Sequence, residues 1–577
     1  MTEIMYDAML PGMARISTDS QIVRDLVKNS VSRKWIAARK SWYYPVTELD
    51  DLFNIFKLAG EQFNIDTKIN DAYTYFKSKT ELLKSLKAGD VSSCNFPEMD
   101  NFTAKLYDYQ KSVVSQIFLM HKYLLALEVG MGKTIISLYA AMALHKVKGS
   151  KCLIVCESNQ IHKPWVDKIL SFCPGVKAHI VEGNAVQRKA KIHEGMADME
   201  SNWLWIMSYD TVRIEIENLP KTWDVIIMDE ITKIKNVSSK ASDAIQQLSS
   251  DYTIGLSATP ITNTYYDLYG VFKIINPHVF STKKNFTEHF LELDFFDKPK
   301  GLKKGMEETM NKKVYPWMVQ LIKEEYDMAK PIHISTYPVP LTAAQKEKLD
   351  EIMLAIKNGD KSPFECQTIL RQICNTVKVL EEYDDYELAQ TTFKVGKLKE
   401  LLHKFVKEGG KKVVVFSYFK QVVKLLEAEL GKEYNVKVVT GETKKTCKYA
   451  DIQDCYTCKD YKRCGSVKKH VFEFTEGDVE ILLGTDSLSR AHDLWSSDTV
   501  INFDLPWNAS DMKQRIGRID RGKKNPASEY FVYNIVTLGT IEEKIIKKIE
   551  RKEKEQGKVL PKYNVSLAKL GKTIKVV

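Results

Sequence analysis

The sequence predicts an α/β protein built from two parallel-sheet lobes, and three observations carry that prediction. Short, wholly apolar runs alternate with helical patterns twice over, across 101–278 and again across 393–540, as sheets buried on both faces require. A glycine-rich turn, Leu125-Ala126-Leu127-Glu128-Val129-Gly130-Met131-Gly132-Lys133-Thr134, joins one such run to a helix. Asp229-Glu230 directly follows another run, Val225–Met228, at the strand end where open α/β sheets place their ligands. A small α+β N-terminal module, helical insertions and a four-cysteine insertion in the second lobe complete the expected architecture. The boundaries are 1–65 for the module, 66–100 for a linker, 101–278 for the first lobe and 279–392 for a helical insertion and connection. The second lobe spans 393–540 with its insertion at 444–470, and 541–577 form a basic helix and tail.

Composition bounds the function. A chain of 577 residues, 44% hydrophobic and 28% charged, is that of a folded multidomain protein, which excludes wholesale disorder. The net charge of +10 favours a polyanionic partner only mildly, so a nucleic-acid reading has to come from motifs. No apolar run approaches the roughly 18–20 residues of a membrane span. The N-terminus, with Glu3 and Asp7 and no basic flank, is not a secretory signal. The expected location is intracellular: the cytoplasm of a bacterium or phage-infected cell, or the nucleus of a eukaryote. The ten cysteines are then reduced, and clustered ones read as metal ligands before disulfides.

In the module, Ala14–Ser17 reads as a strand, and Asp19 as the cap of a helix presenting Ile22, Val23, Leu26 and Val27. Arg33–Ala38 and Ser41–Val46 flank Arg39-Lys40 as a hairpin, and Thr47 opens an amphipathic helix carrying Leu49, Leu52, Phe53, Phe56 and Leu58. The hairpin interleaves Arg33, Lys34, Arg39 and Lys40 with Trp35, Trp42, Tyr43 and Tyr44. That pattern suits phosphate contact with base stacking, or equally a hairpin whose aromatics form a core. Residues 66–100 show helical patches at Ala72–Phe76 and Glu81–Leu86 and no nameable chemistry.

The first lobe carries the nucleotide chemistry. Gly130 and Gly132 let backbone N–H groups face a phosphate, with the helix dipole behind them. Lys133 reaches the β- and γ-phosphates of ATP and Thr134 ligates Mg2+. Gln110, about twenty residues upstream, is placed to read adenine by paired hydrogen bonds. Asp229 holds the Mg2+, and Glu230 orients and deprotonates the attacking water. Ile254–Ser257 is a further strand, running into Ser257-Ala258-Thr259-Pro260.

These motifs together resemble the SNF2-like branch of superfamily 2 helicases, with two RecA-like lobes. The glycine loop is similar to that branch's Leu-Ala-Asp-Glu-Met-Gly-Leu-Gly-Lys-Thr, Asp229–Asn236 to its acidic motif, and Ile274-Ile275-Asn276-Pro277 to a signature ending the first lobe. The resemblance implies that Ser257, Thr259 and Gln514 couple hydrolysis to lobe movement. It also implies that 279–392 carries helical protrusions gripping duplex DNA, although the paired arginines usual there are absent. Arg-Lys-Trp at 33–35 followed by Ser-Trp-Tyr-Tyr-Pro at 41–45 resembles the HARP-type module that precedes the motor in annealing helicases.

In the second lobe, strands read at Lys412–Phe416, Val436–Thr440, Glu480–Gly484 and Val500–Phe503. Cys447, Cys455, Cys458 and Cys464 suggest a structural Zn2+ with no open position, His470 being a substitute ligand; the alternative is unliganded surface cysteines. The lysines around them suit nucleic acid or mere solubility. A helix carrying Gln514-Arg515-Ile516-Gly517-Arg518-Ile519-Asp520-Arg521 aligns Arg515, Arg518 and Arg521 on one face, suited to a triphosphate between the lobes. The resemblance makes Arg518 and Arg521 fingers on the γ-phosphate. One departure stands out: Ser487–Leu494, with Arg490 and Asp493, is closer to DEAD-box RNA helicases than to the usual Gly-Gly-x-Gly-Leu-Asn turn, and Arg490 is a candidate nucleic-acid contact. The expected function is an ATP-driven DNA translocase remodelling forked or branched DNA in replication, repair or recombination. The alternatives are an RNA-dependent ATPase, or a motor that displaces DNA-bound protein such as stalled polymerase.

Overall fold

The computed structural model of the chain describes residues 2–376, 392–443, 455–488, 493–520 and 525–549, apart from positions 11, 93, 95, 98, 159, 263, 296, 327, 508 and 548. It divides into two units, Met1–Tyr326 and Asp327–Glu555. Among the described residues no helix is long and apolar enough to cross a membrane.

The first unit opens with β1 (Thr2–Tyr6), β2 (Met13–Ser17), β3 (Lys34–Ile36), β4 (Ser41–Pro45) and β5 (Phe63–Ile65), in the sheet order β3-β4-β2-β1-β5. The hairpin forms as the sequence predicts, with Lys34 opposite Tyr43 and Trp35 opposite Trp42. Helices Gln21–Asn29 and Leu49–Ala59 cover the sheet through Val23, Val27, Leu49, Leu52 and Phe56, all buried. Ser20 rather than Asp19 caps the first helix, accepting the Val23 N–H, and Ile22 and Leu58 face solvent outside the expected apolar stripes. The expected linker is instead one helix, Thr67–Lys87, started by the Asp66 carboxylate on Lys68 N–H. Its length escapes the apolar pattern because it packs by a few contacts only: Ile69, Leu83 and Leu86 are buried, and the buried Lys87 ammonium donates to Tyr315 O and Met318 O. The module also docks through Lys313 Nζ, 2.9 Å from Ser32 Oγ and 2.5 Å from Glu48 Oε2, and through Asn285 Nδ2, which donates to Val31 O.

The larger sheet of this unit contains β6 (Lys122–Leu127), β7 (Cys152–Cys156), β8 (His179–Val181), β9 (Leu204–Ser208), β10 (Thr222–Met228) and β11 (Ser249–Ser257). A small hairpin, β12 (Leu291–Leu293) and β13 (Pro299–Leu302), precedes the last strand, β14 (Met318–Leu321). All seven strands of the sheet are parallel in the order β14-β6-β11-β10-β7-β9-β8. The central strands are apolar throughout because helices cover both faces. The short edge strands β8 and β14 lack such a run and are not legible in the sequence.

The second unit has a six-stranded sheet: β15 (Ile332–Val339), β16 (Val413–Phe416), β17 (Val436–Val439), β18 (Ile481–Gly484), β19 (Thr499–Asn502) and β20 (Tyr530–Thr537). The order is β15-β20-β19-β16-β18-β17, again all parallel. The stretch 279–392, in which the sequence reads a strand at Ile332–Val339 and a helix opening at Leu341-Thr342, forms that strand as β15 and helices Ala343–Asn358 and Gln367–Asn375, and adds β14, which has no such signal, to the first sheet. Lys394 and Glu542, both fully buried, pair at 2.6 Å, and Glu542 Oε2 accepts the Thr537 N–H, fastening the segment after β20, Gly539-Thr540-Ile541-Glu542-Glu543, to the end of that strand.

Gly270, within helix Tyr266–Ile275, lies where an added Cβ would stand 1.7 Å from Lys235 O. Gly270→Ala should therefore lower the stability of the first unit by about 3 kcal/mol, read as a fall in the calorimetric transition temperature.

Candidate nucleotide site

Parallel pairing brings three motifs to one edge of the first sheet. In register, Ser257 on β11 lies beside Ala126 on β6, and Met228 on β10 lies beside Gly255 on β11. The strand ending in Ser257 therefore separates the one entering the glycine loop from the one entering Asp229-Glu230.

The loop turns through Gly130 at φ 90° and Gly132 at φ 85°, both in the left-handed region. A Cβ on Gly132 would meet Gln110 Nε2 at 2.4 Å. Gln110 is buried against the loop: its Oε1 accepts Tyr107 N–H, and its Nε2 donates to Tyr109 Oη and Met131 O, each at 3.3 Å. Here the amide braces the loop, and the half-exposed ring of Tyr107, stacked on Tyr109 with centroids 5.9 Å apart, is the surface open to a base. Lys133 opens helix Lys133–Lys148 and its Nζ donates to Leu127 O at 2.7 Å and to Glu128 O at 3.4 Å; Thr134 follows it, half-buried.

Asp229 is almost wholly removed from water. Burial pushes its carboxyl above the usual carboxylate range, against the pull of the Lys133 ammonium and the Trp165 hydrogen bond. Its Oδ2 accepts Trp165 Nε1–H at 3.1 Å, and its Oδ1 accepts Glu230 N–H at 3.0 Å. Glu230 sits at φ 47°, a left-handed conformation costing a non-glycine residue about 1 kcal/mol or more. A dry carboxylate facing a cation beside a phosphate-type loop fits a divalent ion, which Asp229 and Thr134 would hold and which would supply charge neutralisation for phosphate chemistry.

Ser257 Oγ accepts Thr259 N–H at 3.1 Å, forming the turn after β11. Lys235, just beyond the acidic pair, pairs with Asp267 at 2.9 Å, and Asp267 Oδ2 also accepts the Thr262 N–H and hydroxyl, each at 2.8 Å. This bridge ties the segment after Asp229-Glu230 to the one after Ser257-Ala258-Thr259. The trailing Lys-Asn at 235–236 was its only sequence signal.

The helix carrying the arginines of the second unit runs Ala509–Ile516, and Gly517–Ile519 continue it as turns, with Arg518 N–H donating to Arg515 O and Asp520 N–H to Ile516 O. Arg515 is fully buried: its Nε and Nη2 donate to Asp486 Oδ1 at 3.1 and 2.9 Å, and its Nη1 to Asn502 Oδ1 and Asp504 O at 2.9 and 3.0 Å. It is a core strut of this unit rather than a nucleotide contact. Gln514 and Arg518 remain half-exposed, Arg518 in the turn after the helix; Arg521 and Arg490 lie outside the described residues. Arg371, which sequence reasoning passed over, is buried among the rings of Tyr418, Phe419 and Trp507 and donates to Leu505 O.

In the hairpin, Arg39 pairs with Asp7, which also accepts the Tyr43 hydroxyl at 2.7 Å; Tyr43 and Tyr44 are core residues. Trp35 remains about half exposed, 4.8 Å from the Trp42 ring, with the Arg33 guanidinium 5.7 Å above Trp42 and Lys34 and Lys40 on the same hairpin. Of the four cysteines, Cys447 lies outside the described residues. Cys455 is buried, Cys464 Sγ sits 3.1 Å from Ser466 Oγ, and His470 Nδ1 lies 2.9 Å from Val438 O. Among the described residues no three His, Cys, Asp or Glu side chains converge on a metal position, so the zinc reading finds no support here.

Asp229→Asn removes a charge that the fold holds out of water. It should raise the transition temperature of the first unit by about 2–4 °C, the shift of roughly 1 kcal/mol in a domain this size, while lowering ATP turnover about 100-fold or more. Calorimetry and steady-state hydrolysis read the two effects on one preparation.

Known proteins bear on this arrangement directly. The chain is similar to the ISWI chromatin-remodeling complex ATPase ISW1 of Saccharomyces cerevisiae, 26% identical over 494 residues, covering 81% of this chain and 41% of that protein. It is also similar to the uncharacterized ATP-dependent helicase YqhH of Bacillus subtilis, 24% identical over 501 residues, covering 82% of this chain and 83% of that one. The chain spans less than half the length of its ISWI-type relatives. A solved Sulfolobus solfataricus SWI2/SNF2 ATPase core in complex with dsDNA matches 82% of the chain and 96% of its own at 20% identity, with a TM-score of 0.38, too loose a likeness to argue from. The helicase conserved C-terminal domain matches residues 394–523. The SNF2-related domain matches residues 48–379, more than half of the sequence, and the chain belongs to the SNF2-related family.

Proposed function

We propose that this protein is an ATP-driven translocase acting on DNA. The observation that carries the reading is the meeting, at one sheet edge, of the glycine loop and Lys133 with the buried Asp229 and its neighbour Glu230. In this reading the loop N–H groups and Lys133 hold the β- and γ-phosphates, and Asp229 with Thr134 holds Mg2+. Glu230 takes a proton from the water that attacks the γ-phosphorus, as the bond to the ADP oxygen breaks. Arg518 and Arg521 stabilise charge on the transferred group, and Ser257, Thr259 and Gln514 couple that event to movement.

Support for DNA as the track is family membership together with the N-terminal hairpin. Trp35 and Trp42 offer a stacking surface flanked by Arg33, Lys34 and Lys40, which suits a fork or strand end more than a continuous duplex. Remodelling of branched DNA by annealing, regression or branch migration follows from that pairing of motor and hairpin.

Steady-state ATP hydrolysis with no nucleic acid, single-stranded DNA, duplex DNA, forked DNA and structured RNA tests the reading. Forked or duplex DNA should stimulate most, and Lys133→Ala and Arg518→Ala should each lower the stimulated rate about 100-fold or more. A Lys133→Ala rate equal to wild type would overturn the ATPase assignment. Stimulation by RNA alone would overturn the choice of DNA.

A further inference from the structure

The glycine loop carries a carboxylate that phosphate binding does not call for. Glu128 stands two residues before Gly130, and a negative charge beside a polyphosphate is repulsive. The side chain turns away from that role. Glu128 Oε2 accepts the Lys323 backbone N–H at 2.9 Å, and the Glu128 N–H donates to Leu321 O at 3.1 Å. Leu321 ends β14, where it pairs beside Leu127 of the strand that enters the loop. At the far end of the same short segment, the Tyr326 ring lies 4.7 Å from Tyr109, whose hydroxyl donates to Met131 O of the loop at 3.0 Å. Residues 321–326 are thus clasped at both ends by the loop or by a side chain bonded to it. They are also the last residues of the first unit, since the second begins at position 327.

We infer that Glu128 is a positioning residue that fastens the phosphate loop to the connector 321–326, so that the loop's nucleotide-dependent setting passes along the chain toward the second unit. The inference rests on reading 125–134 as the ATP-phosphate loop. The bond is charge-assisted and made to backbone, so it is strong and independent of the connector's side chains. A trigger is built in beside it. The Lys133 ammonium donates to Leu127 O and Glu128 O, the carbonyls on either side of the Glu128 N–H. A phosphate oxygen competes for that same ammonium. When it wins, the peptide units flanking Glu128 lose their cation and are released to turn, and the carboxylate carries Lys323 with them.

Hydrogen–deuterium exchange on the full chain, with and without ADP or a slowly hydrolysed ATP analogue and Mg2+, tests this. In wild type, peptides spanning 318–327 should change their exchange rate about tenfold on nucleotide binding, together with peptides spanning 125–134. Glu128→Ala should keep the response at 125–134 and lose it at 318–327; Glu128→Gln, which retains an acceptor oxygen, should restore it. In turnover, Glu128→Ala should leave KM for ATP within about twofold and lower the DNA-stimulated kcat about tenfold, the effect of losing one hydrogen bond to a charged group. A response at 125–134 with none at 318–327 in wild type, or an equal response in Glu128→Ala, overturns the inference. No nucleotide response at 125–134 in wild type, with Lys133→Ala indistinguishable from it, overturns the ATP reading instead. Should Glu128→Ala fail to fold, Glu128→Asp, whose shorter side chain falls short of the Lys323 N–H, takes its place in the exchange comparison with the same expected and overturning results.

Discussion

Asp229 ends its strand with a carboxylate taken out of water, and the surroundings are arranged to tolerate that unfavourable placement. The Lys133 ammonium supplies the countercharge, and Trp165 and the Glu230 N–H supply hydrogen bonds, the latter from a residue held at φ 47°. Each neighbour is delivered by a different piece of secondary structure, and the parallel register of β6, β11 and β10 keeps those pieces adjacent. A carboxylate so buried depends on its neighbours, and removing the Lys133 charge would leave it without its countercharge.

The second unit solves a similar problem differently. Its buried cations, Arg371, Lys394 and Arg515, are met by fixed partners from within the unit: Leu505 O, Glu542, and Asp486 with Asn502. The Lys394 and Arg515 networks hold a sheet and its flanking turns in one arrangement, while Arg371 also relies on the three rings around it, its Nε and Nη1 making no hydrogen bond among the described residues.

The legible parts of the fold were those written in local pattern. Runs such as Cys152–Cys156, Leu204–Ser208 and Val225–Met228 announce buried parallel strands because helices cover both faces, and the glycine loop announces itself because only glycine takes its backbone angles. Illegible were elements defined by partners distant in sequence. β14 is four residues long and exists because β6 lies beside it; helix Thr67–Lys87 has too weak an apolar stripe to read as one piece. A spacing of three places Arg515 near Arg518 along the chain but carries no local hint that Asp486 and Asn502, distant in sequence, bury the Arg515 guanidinium. Arg39 looked like a phosphate ligand for want of any local hint that Asp7, thirty-two residues away, claims it.

The edge position of β14 has a consequence for how the molecule is made. Its partner β6 leads into the glycine loop, and the two are separated in the chain by residues 128–317. Until residue 321 emerges during synthesis, β6 presents an open strand edge of Leu124, Leu125, Ala126 and Leu127, a template for pairing with other chains. The Lys87 ammonium then seals the late-arriving strand by taking its carbonyl at Met318. A fragment cut before position 318, however natural the first six strands look as a domain, would keep the glycine loop and Asp229-Glu230 and lose the strand that covers the β6 edge.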